Sequence, residues 1–450
     1  MFTAPRFVVV DDKEHHLKAI VETFQQLGSP CFGIRYDPAQ ELDKEHFRGV
    51  RGLFLDLHLI EGAAGTDNRR HYAQIAQILE DSISPVGGPF VLVIWTEHPQ
   101  LADELKAYLD QNLDPEKPHA RPLSVLSIAK EQFINVESGD IRPAAALKEA
   151  VEQAVSANPQ LAALIGWEKD VLAAAGATLS SLLSLVSAEE RTIQAYPGAL
   201  DAMLSRLARE AVGKANVAAD PRAAITSVLG PILADRIANQ ELREETRALW
   251  GRAITRHADK DLPPSTAAEA GLVNRMLHLA VPPSETIRPT DWGAVVDFPQ
   301  AGWTDEELKR SFGASRAELL GEEFKISKGD RSSCRTTLVR IGAACDHAQS
   351  RRGPLTYLLG LEVPIGVERI KDTSGTMRPP ASEWRSPVFT LDGIEPFNLL
   401  VNSRFVLSLP SEFCQDWTVR YRMREQLVMH LISHANTYVS RPGIVQLPIS

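Results

Sequence analysis

The chain has 450 residues, a formal net charge of −10 at pH 7 and 44% hydrophobic residues, with a pI of about 5.7 and a mean hydropathy of −0.15. That length exceeds what one core ordinarily organises, so two or three domains are expected; no apolar run approaches the roughly 18 residues of a spanning helix, and the acidic balance argues against bulk electrostatic attraction to nucleic acid or anionic lipid. Four cysteines, Cys31, Cys334, Cys345 and Cys414, lack the spacing of a disulfide framework, and Asp11 and Asp12 interrupt the only apolar stretch that resembles a signal segment, so a reducing cytoplasm, protein partners and no membrane are expected.

Residues 1–156 alternate strand and helix. Phe7–Val10 is apolar, and Leu17, Ile20, Val21, Phe24 and Leu27 then share a helix face that Gly28 closes. A run at Cys31–Ile34 follows, then GLFLDL at 52–57, a helix through Tyr72, Ile75, Ala76 and Leu79, and the wholly apolar FVLVIW at 90–95. Leu101, Leu105, Tyr108 and Leu109 mark another helix, LSVLSI at 123–128 a fifth strand, and Ala144–Val155 a last helix. Apolar strands separated by helices require crossover connections, so the expected fold is α/β, a five-stranded parallel sheet covered on both faces.

Residues 157–285 lose the strands and become rich in Ala and Leu. Stripes at Leu179, Leu182, Leu183 and Val186, at Leu200, Met203, Leu204 and Leu207, and at Ile225, Val228, Leu229, Ile232 and Leu233 predict a helical bundle or linker domain, with Gly230-Pro231 kinking the third helix. From residue 286 to 450 Pro, Gly and Trp become frequent and strand patterns return at 336–341, 355–363, 388–391 and on either side of Asn402-Ser403-Arg404. A helix through Met423, Leu427, Leu431 and Ile432 precedes SRPG, which predicts a C-terminal α+β domain built on a small, partly antiparallel sheet or barrel.

The ends of the first strands carry the chemistry. The first ends at Asp11-Asp12, the third at Asp56, the fourth at Thr96, and Lys130 follows the fifth. The carboxyl ends of parallel strands converge on one crevice. Gathered carboxylates repel there unless a hard divalent cation such as Mg²⁺ takes their oxygens. An aspartate beside such an ion is a plausible nucleophile toward phosphorus, with a hydroxyl and an ammonium to meet the charge on the phosphoryl oxygens.

On VVVDD at 8–12, LFLDLHLIEG at 53–62, VLVIWT at 91–96 and Lys130 after SVLSIA, residues 1 to about 140 resemble the receiver domains of bacterial two-component response regulators. The resemblance implies a flavodoxin-like sheet, Asp56 as phosphoacceptor, and Asp11, Asp12, Asp56 and the backbone carbonyl of His58 as Mg²⁺ ligands. It also implies Thr96 as switch hydroxyl, Lys130 as phosphoryl contact, and a histidine kinase as partner. The chain departs from the family pattern where no proline follows the Asp56 strand, where Glu97 and Glu131 replace a small residue and a proline, and where Ser127 replaces an aromatic. With CRTTLVRIGAACDHAQ and RMREQLVMHLISHANTYVSRPGI, the whole chain also resembles the stand-alone receiver family of the Detocs anti-phage phosphorelay. That resemblance implies a buffer that draws phosphate away from a kinase serving a second receiver protein.

Other residues have plainer readings beside their chemical ones. His15 and His16 could be imagined as phospho-carriers or metal ligands, but on a first helical turn they are expected on the surface. Cys345, Asp346 and His347, with Cys334, Cys414, His430 and His434, could form a cysteine nucleophile or a metal site; without CxxC-type spacing, core packing is the stronger reading. The arginines of WTVRYRMREQL at 417–427 are read as the solvated face of an amphipathic helix. The alternative to a buffer is a regulator whose C-terminal domain is an enzymatic or nucleic-acid-binding effector switched by the receiver.

Overall fold

The computed structural model describes residues 6–26, 30–59, 68–135, 137, 146, 149–150, 153, 156–282, 286–298, 304–349, 353–371 and 376–441. The helix expected at Ala144–Val155 lies mostly outside these residues, as do Gly28, the segment after Leu59 and the end of SRPG. The chain divides into two compact units, one of Met1–Ser181 with Leu233–Lys260, the other of Leu182–Ile232 with Asp261–Ser450.

In the first unit, β1 (Phe7–Asp11), β2 (Cys31–Arg35), β3 (Gly52–Leu55), β4 (Val91–Thr96) and β5 (Ser124–Ala129) form one sheet in the order β2-β1-β3-β4-β5, and every pairing is parallel. This is the expected flavodoxin-like sheet, and the change of direction at β1/β3 is where such sheets bind ligands. Alternation along the strands sorts the core into two layers. Val9, Phe54, Val93, Trp95 and Ile128 pack with Ala19, Ile20 and Phe24 of α1 (Glu14–Gln26) on one face. Val8, Val10, Leu53, Leu55, Leu92 and Ile94 face α2 (Arg69–Ser82) and α3 (Ala102–Asn112) on the other, through Tyr72, Ile75, Leu79, Leu105 and Leu109. Each of the larger aliphatic side chains, taken fully out of water, contributes about 1.5–3 kcal/mol before entropy is counted.

The buried face of α1 is His16, Ala19, Ile20, Thr23 and Phe24, rotated from the Leu17/Val21 stripe read from the sequence. Leu17 and Val21 instead lie against β2 at Gly33, where a Cβ would stand 2.9 Å from Val21 Cγ2 and 3.0 Å from Leu17 Cδ1. The long helix α4 (Pro159–Ser184) belongs to this unit as far as Ser181. Its Leu161 joins the α1 layer, and Glu168 accepts Arg6 Nη1 at 2.6 Å, Arg51 Nε at 2.9 Å and Arg51 Nη2 at 3.0 Å. That clasp holds α4 to the segments that enter β1 and β3.

The Ala- and Leu-rich region forms helices, including α5 (Tyr196–Val212), α6 (Pro221–Ala238, with Pro231 inside it), α7 (Glu244–Ala253) and α8 (Ala267–His278). The stripe at the end of α4 is only partly covered: Leu182 and Val186 are buried while Leu179 is 54% exposed.

The second unit carries a seven-stranded sheet of β6 (Leu279–Ala280), β7 (Ala294–Asp297), β8 (Arg335–Ile341), β9 (Leu355–Pro364), β10 (Glu383–Phe389), β11 (Phe397–Leu409) and β12 (Val419–Met423), in the order β10-β11-β9-β8-β7-β12-β6. All its pairings are antiparallel, and α9 (Glu425–Val439) packs on it through Leu427, Val428 and Leu431. Two expectations are corrected here. Asn402-Ser403-Arg404 is not a turn between strands but a bulge within β11, where the register to β9 shifts between Asn402 and Val406. Residues 419–423 are a strand rather than the start of a helix, because Val-Arg-Tyr-Arg-Met alternates with period two and buries Tyr421 and Met423.

Candidate functional site

Strand parity builds the site. Asp11 stands two residues after Val9, Asp56 two after Phe54 and Lys130 two after Ile128, all members of the α1 layer, so these three side chains leave the ends of β1, β3 and β5 on one face. The lysine ammonium closes the arrangement: Lys130 Nζ donates to Asp11 Oδ2 at 2.8 Å and to Asp56 Oδ2 at 2.7 Å. The cluster is nearly dry, with Asp11 0%, Lys130 1% and Asp56 5% exposed.

Backbone donors fix the carboxylates. Lys13 N–H donates to Asp11 Oδ1 at 2.9 Å and His58 N–H to Asp56 Oδ1 at 3.3 Å, each from two residues on, as short acidic side chains do where a strand turns away. Burial drives Asp11 up to about 6, against the pull of Lys130 and with the push of Asp56. For Lys130 burial acts downward, but the charges and hydrogen bonds of Asp56 and Asp11 outweigh it and hold the ammonium above its ordinary value. Lys130 therefore stays charged at neutral pH.

Asp12 completes an acidic triad. Asp11, Asp12 and Asp56 each offer a carboxylate oxygen, all within 4.8 Å of one another, and Asp12 Oδ1 is buried with no hydrogen-bond partner among the described residues. One ammonium does not neutralise three carboxylates, and an orphaned buried carboxylate oxygen is costly without a cation. The triad thus fits a metal ion with oxygen ligands. Among the described residues it is the one group of three or more His, Cys, Asp and Glu close enough to share an ion.

The remaining expected residues lie around this centre. Thr96 is fully buried at the end of β4; its hydroxyl oxygen accepts His98 N–H at 3.1 Å and is not hydrogen-bonded to the carboxylates. The His58 ring packs edge-on to His71 at 4.6 Å and to His98 at 5.3 Å between centroids. Burial lowers both His58 and His71, helped by His71 for the first and by Arg70 for the second.

Sequence reasoning missed His16. It was expected on the surface, yet it is fully buried, with Nδ1 3.2 Å from Lys130 Nζ and 3.8 Å from Asp11 Oδ1. The signal was present: 16, 19, 20, 23 and 24 form a complete helical stripe. His71 was missed for a similar reason, since it shares the buried face of α2 with Tyr72, Ile75 and Leu79. Elsewhere Cys334 and Cys414 are buried in the sheet core and Cys345 is exposed, all as free thiols, and His430 Nδ1 accepts Trp384 Nε1–H at 3.0 Å.

The N-terminal unit is thus a five-stranded parallel α/β domain with an acidic pocket at the carboxyl ends of its strands. No family model, curated protein or solved structure matches the chain. No helix among the described residues is long and apolar enough to cross a membrane.

Proposed function

We propose that the N-terminal unit is a phosphorelay receiver, accepting a phosphoryl group on Asp56 from the phosphohistidine of a partner histidine kinase. The observation that carries this reading is the bridge of Lys130 to Asp11 and Asp56 at 2.8 and 2.7 Å, beside the orphaned oxygen of Asp12. A carboxylate oxygen of Asp56 attacks phosphorus; the P–O bond forms as the P–N bond breaks, and its electron pair returns to the kinase imidazole, which takes up a proton. Lys130, already 2.7 Å from the nucleophile's carboxylate, follows the charge onto a phosphoryl oxygen. Thr96 accepts from His98 through its oxygen and so keeps its own proton to donate to another. Asp11, Asp12, Asp56 and the His58 carbonyl would hold Mg²⁺, which supplies positive charge against the phosphoryl oxygens.

A phosphate-accepting rather than signal-broadcasting role agrees with Ser127, an exposed small residue on β5 where the receiver family carries an aromatic relay. The buffer role in anti-phage defence, and a second receiver protein sharing the kinase, are carried by the sequence resemblance of the whole chain. The test is intact-mass spectrometry after incubation with acetyl phosphate. Wild type with Mg²⁺ gains one phosphoryl group, whereas Asp56→Asn, or wild type in EDTA, does not. Equal labelling of Asp56→Asn removes the reading.

A further inference from the structure

The C-terminal unit contains a large cavity with a buried arginine in its wall. A cavity of about 1110 Å³ is lined by Arg288, Thr290, Arg340, His347, Thr356 and Ser411, among other residues. It includes the Asp346-His347 part of the sequence stretch that packing alone was expected to explain.

Arg340, the penultimate residue of β8, is only 7% exposed. Its Nη1 reaches Thr356 O at a long 3.4 Å, and its Nε is buried with no partner among the described residues. The other deeply placed arginines of this unit are matched. Arg420 forks onto Glu362 with two bonds of 2.8 Å, and Arg369 Nη1 meets Glu383 Oε1 at 2.8 Å. No described carboxylate forms an ion pair with Arg340. A buried guanidinium that makes no ion pair, with only the exposed Asp346 carboxylate acting on it from a distance, is costly and is retained where something else supplies the anion.

The surroundings reinforce this. Gly342, at φ +139°, leaves room that any Cβ would take from the guanidinium, since that carbon would stand 2.8 Å from Arg340 Nη1. His347 is lowered, first by burial, with the charge of Asp291 opposing and those of Arg340, Arg288 and Arg422 adding to it. Asp346 and Glu412, which also line the cavity, are exposed.

We propose that this cavity binds a phosphorylated small molecule, its phosphate oxygens taking the Nη end of the Arg340 guanidinium and His347, with Arg288, which is exposed and paired to Asp291 at 3.0 Å, at the rim. The guanidinium fork matches two oxygens of one anion. His347 and the hydroxyls of Thr290, Thr356 and Ser411, which line the cavity with Arg340, give more donors than a carboxylate has oxygens to use. The volume exceeds what inorganic phosphate fills and suits a ligand of nucleotide size. The inference is independent of the receiver reading.

Thermal unfolding of the full chain in EDTA tests it, with inorganic phosphate, adenosine monophosphate and, as a carboxylate control, citrate. Both phosphate ligands raise the melting temperature, the nucleotide at lower concentration, and Asp56→Asn responds like wild type. His347→Ala requires about tenfold more ligand for the same shift, and Arg340→Met, which removes the guanidinium with its long bond to Thr356 O, loses the shift. A phosphate response undiminished in Arg340→Met, a response to citrate alone, or no response to either phosphate ligand overturns the proposal. If Arg340→Met does not fold, an undiminished response in His347→Ala overturns it.

Discussion

Lys130 at the end of β5 donates to Asp56 at the end of β3 at 2.7 Å, reaching past the intervening β4, and the same ammonium serves Asp11. Removing it leaves two buried carboxylates facing each other with no counter-charge. Lys130→Met is therefore expected to lose about 3–5 kcal/mol in EDTA, read by urea unfolding followed by circular dichroism, and to recover part of that loss in Mg²⁺. A loss under about 1 kcal/mol would show that the bridge does not organise the site.

Asp12 behaves differently, because its Oδ1 has no partner among the described residues to lose. Asp12→Ala leaves metal-free stability within about 1 kcal/mol of wild type. It abolishes the stabilisation by Mg²⁺, which in wild type reaches about 2.7 kcal/mol when the free ion is one-hundred-fold above its dissociation constant. Isothermal titration of both proteins with Mg²⁺ checks the pair of statements; unchanged affinity in the variant contradicts them.

The Glu168 clasp sets an acid limit on the docking of α4. Burial pushes this carboxyl up, but the hydrogen bonds and charges of Arg51 and Arg6 outweigh it and hold Glu168 below its ordinary value. A group with a depressed folded pKa stabilises above its unfolded pKa, and that contribution fades as pH falls below about 4.5 through the folded value. Glu168→Ala leaves Arg51, whose side chain is 13% exposed, without its carboxylate and costs about 1–3 kcal/mol at pH 7. The difference between variant and wild type shrinks toward pH 3 in parallel denaturation series; a pH-independent difference would assign the cost to packing.

In the second unit, Glu362 and Arg420 form a two-pronged pair at 2.8 Å with the carboxylate 4% exposed. Glu362→Ala leaves the guanidinium only the longer 3.8 Å contact with Asp297 and is expected to cost about 3 kcal/mol. Replacing both partners by Leu and Met is expected to recover most of it, measured as the melting temperature of single and double variants.

How much of this was legible in the sequence follows from the kind of pattern each element carries. Asp11, Asp56 and Lys130 stand in phase with apolar residues two positions earlier, and period two along a parallel strand is a local rule, so both the sheet and the convergence of these side chains could be read. His16 and His71 lie on buried helix stripes, yet a polar residue in a stripe reads as its edge until the partner, here Lys130, is known from the other end of the unit. The period of Val419–Met423 was present but was masked by the Met423/Leu427/Leu431 spacing that leads into α9. The bulge at Asn402–Val406 was beyond reach, because Asn402 and Ser403 are buried polar residues held by tertiary bonds such as Ser403 N–H to Ser382 O, and polar side chains in sequence signal a turn. Arg340 looks like any strand arginine until three dimensions show that no carboxylate among the described residues forms an ion pair with it.

The central claim is that Asp56 becomes an acyl phosphate. Full-length protein treated with acetyl phosphate and Mg²⁺, reduced with borohydride and mapped by peptide mass spectrometry, is predicted to carry homoserine at position 56 and nowhere else. Homoserine at another aspartate, or a phosphoryl group that resists borohydride and sits on a histidine or serine, would contradict it.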